Sequence, residues 1–480
     1  MSDTKGLLKH SRNYLIANIA TQALGFISIP VYTHLLSTTD YGIYSTFMAV
    51  VGVCTPVLFL STYTAISRYY FEAKDKNDFK EFVGSSMVLA AIIFGAFVIV
   101  YFLLSPKLSE WLGFDWILTI MVPPVCLFMV FDSIFEQIYG PMLKSKKVAI
   151  ISSIRAYLSF GIAVVAILLL KNNKYYGQVI GSIGSLFILF FYVINQIHPY
   201  CKLTCRRKDV KYILSYAVPQ VPYYLSGVLL IQFSKILISQ FGDFSDVGKY
   251  NIAATIGGLM MIVVNITHQA WNPYYMRFMT DKDYTSIDHD ANLIWRGTLL
   301  CAGAISAFGY EIGYVLADKE YHQYFYMIPL FATAYVFYQW AYFYMRNVGF
   351  AKKTIWNTVI VFISGIVNVV LNYVLIKSFG NIGAPVSLVA SYLVMFLASY
   401  VINGNVLKEY ASPLRMYATP FLLFIIFILL VTPSYYYINN LPYFWTLLYK
   451  AFLFIVLLIV LFRYYFKAII HLFTKFVNRV

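Results

Sequence analysis

Apolar runs of about twenty residues alternate with short polar punctuation along the whole chain. A helix of about 20 residues crosses the ~30 Å hydrocarbon core of a bilayer, and runs this long exclude spanning strands. The pattern predicts fourteen helices, over 13–36, 41–64, 82–104, 116–139, 149–170, 176–198, 212–241, 248–272, 293–317, 324–346, 353–376, 383–404, 416–438 and 443–466. The last two are separated by Thr432-Pro433-Ser434 and Asn439-Asn440-Leu441-Pro442, a cluster of turn residues. The expected fold class is an all-α polytopic membrane protein. Pro30 and Pro329 fall inside predicted spans and mark expected kinks.

The punctuation repeats. Asp40-Tyr-Gly42-Ile-Tyr44 follows the first apolar run, and Asp246-Val-Gly248-Lys-Tyr250 follows the seventh, so Asp-x-Gly-x-Tyr recurs at an offset of 206. Tyr69-Tyr70 before the charged loop Lys74-Asp75-Lys76 matches Tyr274-Tyr275 before Asp281-Lys282-Asp283 at nearly the same offset. A duplicated bundle follows, each half with six helices inserted the same way up, plus two appended helices. The expected division is a first bundle over 1–199, a linker loop over 200–211, a second bundle over 212–405, and two further helices with a tail over 406–480.

Composition changes this picture little. The 480 residues are 60% hydrophobic and 12% charged, with a net charge of +15. The basic residues are scattered over short loops, which excludes a nucleic-acid surface and suits the positive-inside rule. With residue 1 in the cytoplasm, the inward segments hold 26 of the 36 basic residues. The alternation survives to the last helix, so an even helix count with both termini cytoplasmic is expected. Residues 1–12 are polar and basic with no cleavage motif after the first run, as in an uncleaved signal anchor. His198, Cys201 and Cys205 have an unfamiliar metal spacing, and neither a metal nor another cofactor is expected. No loop is long enough for a catalytic or nucleotide-binding domain, so the chain is not read as an enzyme or an ATP-driven pump.

Ionisable groups inside spans usually face a cavity or one another. Lys235, in helix 7, either contacts an anionic substrate or pairs with Glu311 of helix 9, or snorkels outward. Arg155 and Arg296 lie early in helices 5 and 9, where they suit lipid phosphate or an anionic substrate. Asp132 and Glu136 share one face of helix 4; either two like charges so placed raise each other's pKa and one carries a coupling proton, or they form an ion pair with Arg155. Glu311 binds a coupling ion or holds Lys235. Asn18, Thr21 and Gln22 on helix 1, and Asn357, Ser364, Asn368 and Asn372 on helix 11, line a cavity or bond between helices. Phe331, Tyr335, Tyr338 and Tyr342 form a stripe that stacks on sugars or packs.

Ile29-Pro30, Leu35-Leu36-Ser37 and Asp40-Tyr41-Gly42-Ile43-Tyr44 resemble the opening of the Wzx-type polysaccharide flippases of the multidrug/oligosaccharidyl-lipid/polysaccharide exporter superfamily. Arg68-Tyr69-Tyr70-Phe71 is similar to their second signature, and 219–250 to their helix 7 and 8 region, with Ser234-Lys235 where members often carry Asp-Arg. The resemblance implies two bundles around a cationic cavity in the bacterial cytoplasmic (inner) membrane. It implies an undecaprenyl-diphosphate-linked oligosaccharide as substrate, for O-antigen, capsule or exopolysaccharide. Membrane lipids, a coupling H+ or Na+ and a polysaccharide polymerase are the implied partners. Three alternatives fit less well. A peptidoglycan-precursor flippase is opposed by the uncharged helices 1 and 2, a multidrug exporter by the extra helix pair, and a membrane glycosyltransferase or polymerase by the short outer loops.

Overall fold

The structure, a computed structural model, describes residues 24–437 and 443–477. The described residues are 89% helical, without a strand. The principal helices are α1 (Leu24–Leu35), α2 (Thr38–Phe59), α3 (Lys76–Leu112), α4 (Trp116–Tyr139), α5 (Ser145–Leu169), α6 (Tyr175–Ile197), α7 (Arg207–Phe241), α8 (Phe244–Asp281), α9 (Tyr284–Leu316), α10 (Ile328–Phe350), α11 (Ile355–Phe379), α12 (Gly383–Ile402), α13 (Arg415–Val431) and α14 (Tyr443–Val477). Among the described residues eleven segments have the length and hydropathy of a membrane span, and one of these, Ile355–Leu407, contains both α11 and α12. The fold class is the all-α polytopic one that the apolar pattern predicts. Its reason is local: uninterrupted apolar runs close their own backbone hydrogen bonds, and only helices and closed barrels do so in lipid.

The polar punctuation supplies the helix starts. Ser37 caps α2 by accepting from the Asp40 N–H at 3.1 Å. Asp75 caps α3, accepting from Asn77 and Asp78 at 2.8 and 2.7 Å. Asp115 caps α4, accepting from Leu118 N–H at 2.7 Å. Side-chain oxygens of this kind satisfy amides that have no intrahelical partner. Pro329 lies in the first turn of α10 instead of inside a span, because a 3₁₀ stretch over Lys319–Met327 precedes it. It therefore starts a helix, where its missing N–H costs nothing, and produces no kink.

The chain folds as two compact units. The first comprises the chain through Asn251 with 316–321 and 372–381; the second comprises 252–315, 322–371 and 382–480. The first unit extends past the 200–211 linker because α7 packs along α2, bringing Val228 and Gln232 against Gly52. Its core gathers Phe47, Val51, Phe59, Phe82, Val122 and Phe135.

Within that unit the two copies of the repeated motif meet. A Cβ on Gly42 would lie 1.6 Å from the Phe244 carbonyl oxygen, and one on Gly248 would lie 2.1 Å from that of Thr38. Phe244 is Thr38 plus 206, and Gly248 is Gly42 plus 206, so the contact is self-complementary, as across a twofold axis. Thr38 Oγ1 and Ser245 Oγ share a hydrogen bond of 2.8 Å beside it. Small residues that let backbones approach are the usual device for joining helices in lipid.

The linker is clamped to α3. Lys202 N–H donates to the Lys80 carbonyl at 3.0 Å, at a crossing where a Cβ on Gly84 would sit 1.9 Å from the Lys202 oxygen. The Arg206 guanidinium donates to Asp78 Oδ1 at 2.9 Å, to the Asp78 carbonyl at 3.2 Å, and to Asp209 at 2.6 and 3.1 Å. It also pairs with Glu81. Burial works against its charge, but the hydrogen bonds from its N–H groups to Asp209 and Asp78 outweigh that and hold its pKa above the ordinary value.

Candidate functional site

In the first unit, the ionisable pair on α4 is split by its surroundings. Asp132 forms an ion pair with Arg155 of α5, while Glu136, one turn along, has no ion-pair partner among the described residues. Of the two readings for this pair of carboxylates, the ion pair with Arg155 is present at Asp132. Lys235 is half-buried on α7, and its ammonium meets no acidic or hydrogen-bonding partner among the described residues. The neighbouring Ser234 donates to Asn372 of α11 at 3.0 Å. Asn18 and Gln22, with Thr21, lie outside the described residues.

In the second unit, Glu311 does not hold Lys235. Its Oε1 accepts from Lys450 Nζ of α14 at 2.8 Å. Lys450 is fully buried, under the rings of Tyr435 (4.9 Å) and Tyr310 (5.6 Å). In the sequence Lys450 lies within the last predicted span with no evident partner. The pairing arises because Glu311 and Lys450 face each other across the α9–α14 contact, which no linear pattern encodes. Arg296 likewise turns to α14 instead of lipid: it donates to Asn292 Oδ1 at 2.8 Å and to the Leu461 carbonyl. These contacts tie the appended helix to the second unit. Asn368 donates to Ser391 of α12 at 3.2 Å, an interhelical bond. Tyr338 packs its ring on Tyr342 and Tyr392, at 6.1 and 5.1 Å, within an aromatic cluster.

A further cation counts in the sequence only as loop charge. Arg346 sits in the last two turns of α10 with 5% of its surface exposed. Its guanidinium carbon lies 4.6 Å from the Trp271 ring, 5.1 Å from Phe343 and 5.8 Å from Tyr275. None of its three nitrogens has a hydrogen-bond acceptor among the described residues. Seven residues earlier on the same face, Gln339 uses its Oε1 for His268 Nε2 at 2.9 Å, and its own Nε2 is left without an acceptor among the described residues. On α8, Asn265, Gln269 and Asn272 are exposed at i, i+4 and i+7. Amides cannot face hydrocarbon without losing hydrogen bonds, so this face of α8 is wet or covered by something polar.

The sequence of residues 7–279 matches the family described as polysaccharide biosynthesis protein. That is more than half of the chain. The chain belongs to the polysaccharide biosynthesis protein family. A protein of the Lsg locus of Haemophilus influenzae is 21% identical over 291 residues, covering 58% of this chain and 67% of that protein. Among solved structures, the lipid II flippase MurJ in an inward closed conformation is similar with a TM-score of 0.68 at 13% identity, over 94% of this chain and 98% of MurJ. An inward-facing multidrug resistance MATE family transporter of the MOP superfamily gives 0.58 at 15% identity, over 83% and 96%. At these identities the likeness is one of fold. The family membership agrees with the resemblance carried by Asp40-x-Gly42-x-Tyr44 and its copy.

Arg346 escapes a linear reading because it sits among loop charges at the end of a span. One signal is available: Trp271, Tyr275 and Phe343 recur at helical spacing on their helices, and buried arginines seek such rings.

Proposed function

We propose that this protein is a flippase that moves undecaprenyl-diphosphate-linked oligosaccharide repeat units, for O-antigen, capsule or exopolysaccharide, from the cytoplasmic to the outer leaflet. The observation that carries the reading is that each unit holds a cation on a helix, half-buried Lys235 in the first and buried Arg346 in the second, without an anionic partner among the described residues. A cation removed from water without a partner is costly, and within a membrane protein such residues are kept where a polar substrate or ion passes. An anionic headgroup that visits them supplies the missing partner. Family membership and the exporter fold support the same conclusion. The sugar headgroup is too polar to cross hydrocarbon unaided, whereas the polyprenyl tail can stay in the bilayer.

In this reading the protein lies in the bacterial cytoplasmic membrane with both termini inside, and an ion gradient of H+ or Na+ drives alternating access. Glu136, which has no basic partner among the described residues, and Asp132 are the carboxylates assigned to coupling; Glu311 is assigned to structure by its bond to Lys450. Lys235, with Asn18 and Gln22, contacts the substrate, and Tyr338 flanks the sugar. A polysaccharide polymerase receives the product. The test is reconstitution. Purified protein in liposomes is given a fluorescent polyprenyl-diphosphate oligosaccharide, and leaflet exchange is followed under imposed proton and sodium gradients. Accelerated exchange is expected. Exchange no faster than in empty liposomes under every gradient overturns the reading, and exchange only of a lipid-linked peptidoglycan precursor transfers it to that substrate.

A further inference from the structure

Arg346 carries five N–H donors on a rigid fork, and nothing among the described residues accepts from them. The rings of Trp271, Phe343 and Tyr275 satisfy the face of the guanidinium but not its edge. The carboxylates of the neighbouring helix make their hydrogen bonds to groups other than Arg346. Asp288 accepts the Tyr410 hydroxyl at 2.7 Å through Oδ2, its Oδ1 having no hydrogen-bond partner among the described residues, and Asp290 accepts from the Trp271 indole N–H at 3.4 Å and lies 3.3 Å from His289. Asp290 thus fixes the indole whose face Arg346 covers. The free Nε2 of Gln339 adds a further donor to the same face of α10 and no free acceptor, because its Oε1 is taken by His268. The unpaired groups of Arg346 and Gln339 are all donors, one of them a forked cation, and match a group that offers only acceptors. Two phosphoryl oxygens present that edge to a guanidinium bidentately.

We propose that Arg346, assisted by Gln339, is a docking site for a phosphoryl group, reached when the His268–Tyr342 side of the cluster opens. Tyr342 is 37% exposed and its ring lies 3.8 Å from that of His268, so this pair is the cover nearest the surface. The assignment of the phosphoryl group to the diphosphate of a lipid carrier rests on the flippase reading; the site itself does not. Inorganic diphosphate has the same chemistry, and the experiment separates the two sources.

Full-length protein in detergent is titrated with geranylgeranyl diphosphate and with inorganic diphosphate by calorimetry, alongside Arg346→Gln, Arg346→Lys and Gln339→Leu. Melting temperature is recorded for each. The wild type is expected to bind the lipid diphosphate. Arg346→Gln weakens it at least tenfold and Arg346→Lys severalfold, because lysine keeps the charge and loses the fork. Gln339→Leu, which removes one neutral donor, weakens it about threefold and covers the case in which an Arg346 variant does not fold. Binding of inorganic diphosphate with the same dependence on Arg346 supports the site with a soluble ligand. Undiminished binding in folded Arg346→Gln overturns the site while leaving the flippase reading standing, provided that exchange in liposomes is present. No binding of either probe to the wild type overturns the site, and loss of liposome exchange as well overturns both.

Discussion

Replacing Gly42 by alanine tests the claim that the repeated motifs meet backbone to backbone. The added Cβ would stand 1.6 Å from the Phe244 carbonyl oxygen, 2.6 Å from its carbon and 3.0 Å from Gly248 N. None of these atoms is the end of a flexible side chain, so neither helix can yield by changing a rotamer. Restoring a separation of about 3.4 Å requires the backbones to part by roughly 1.8 Å. A shift of that size breaks the Thr38–Ser245 hydrogen bond, now 2.8 Å. It also breaks the 3.3 Å bond from Asn251 to the Tyr41 hydroxyl. Overpacking of this kind typically costs about 1–3 kcal/mol. Each lost hydrogen bond adds about 0.5–1.5 kcal/mol. Against this, alanine in a helix interior is worth about 0.5–1 kcal/mol over glycine. The expected net loss is about 2–4 kcal/mol, with Gly248→Ala similar. The double variant should cost less than the sum, because one separation relieves both clashes. Gly227→Ala is the control: its Cβ meets nothing within 4 Å among the described residues, so it should be neutral or slightly stabilising. Reversible denaturant unfolding in detergent, followed by tryptophan fluorescence, reads the difference. Gly42→Ala and Gly227→Ala unfolding alike would refute the crossing.

Lys450→Met leaves the Glu311 carboxylate buried without its cation and should cost about 3–5 kcal/mol, whereas adding Glu311→Gln should restore most of it. A double variant as unstable as the single would show that packing, not charge, dominates. Lys235→Ala should lower liposome exchange without lowering expression; unchanged exchange would move Lys235 to a structural role. Asp115 bears on pH. Burial raises its carboxyl pKa, but donation from the Tyr176 hydroxyl, Leu118 N–H and Tyr175 hydroxyl outweighs it, so the folded pKa lies below the ordinary one. A depressed carboxylate stabilises above its unfolded pKa and loses that contribution as pH falls through the folded value. Asp115→Asn should therefore flatten the fall in melting temperature on acidification below about pH 4, by less than about 1 kcal/mol because the site is exposed. An unchanged acid branch would count against it.

The sequence alone determined the helices, the repeat and the family. Trp116–Tyr139 coincides with its predicted span, and the other described helices overlap theirs, several of them running longer, as Lys76–Leu112 does against 82–104 and Tyr284–Leu316 against 293–317. Length and apolarity are local quantities, and a bilayer admits few alternatives to a helix. The resemblance at Asp40-x-Gly42-x-Tyr44 was equally legible, since a motif is linear. The structure decided which faces meet. These helices are apolar nearly all round, so their rotation about the axis leaves little trace in the pattern. That is why Glu311 was offered Lys235 and found Lys450, and why Arg346 was counted with its neighbours in the loop. It is also why two motifs 206 residues apart gave no sign that their glycines touch. Partners across helices depend on register and rotation together, and only packing in three dimensions fixes both.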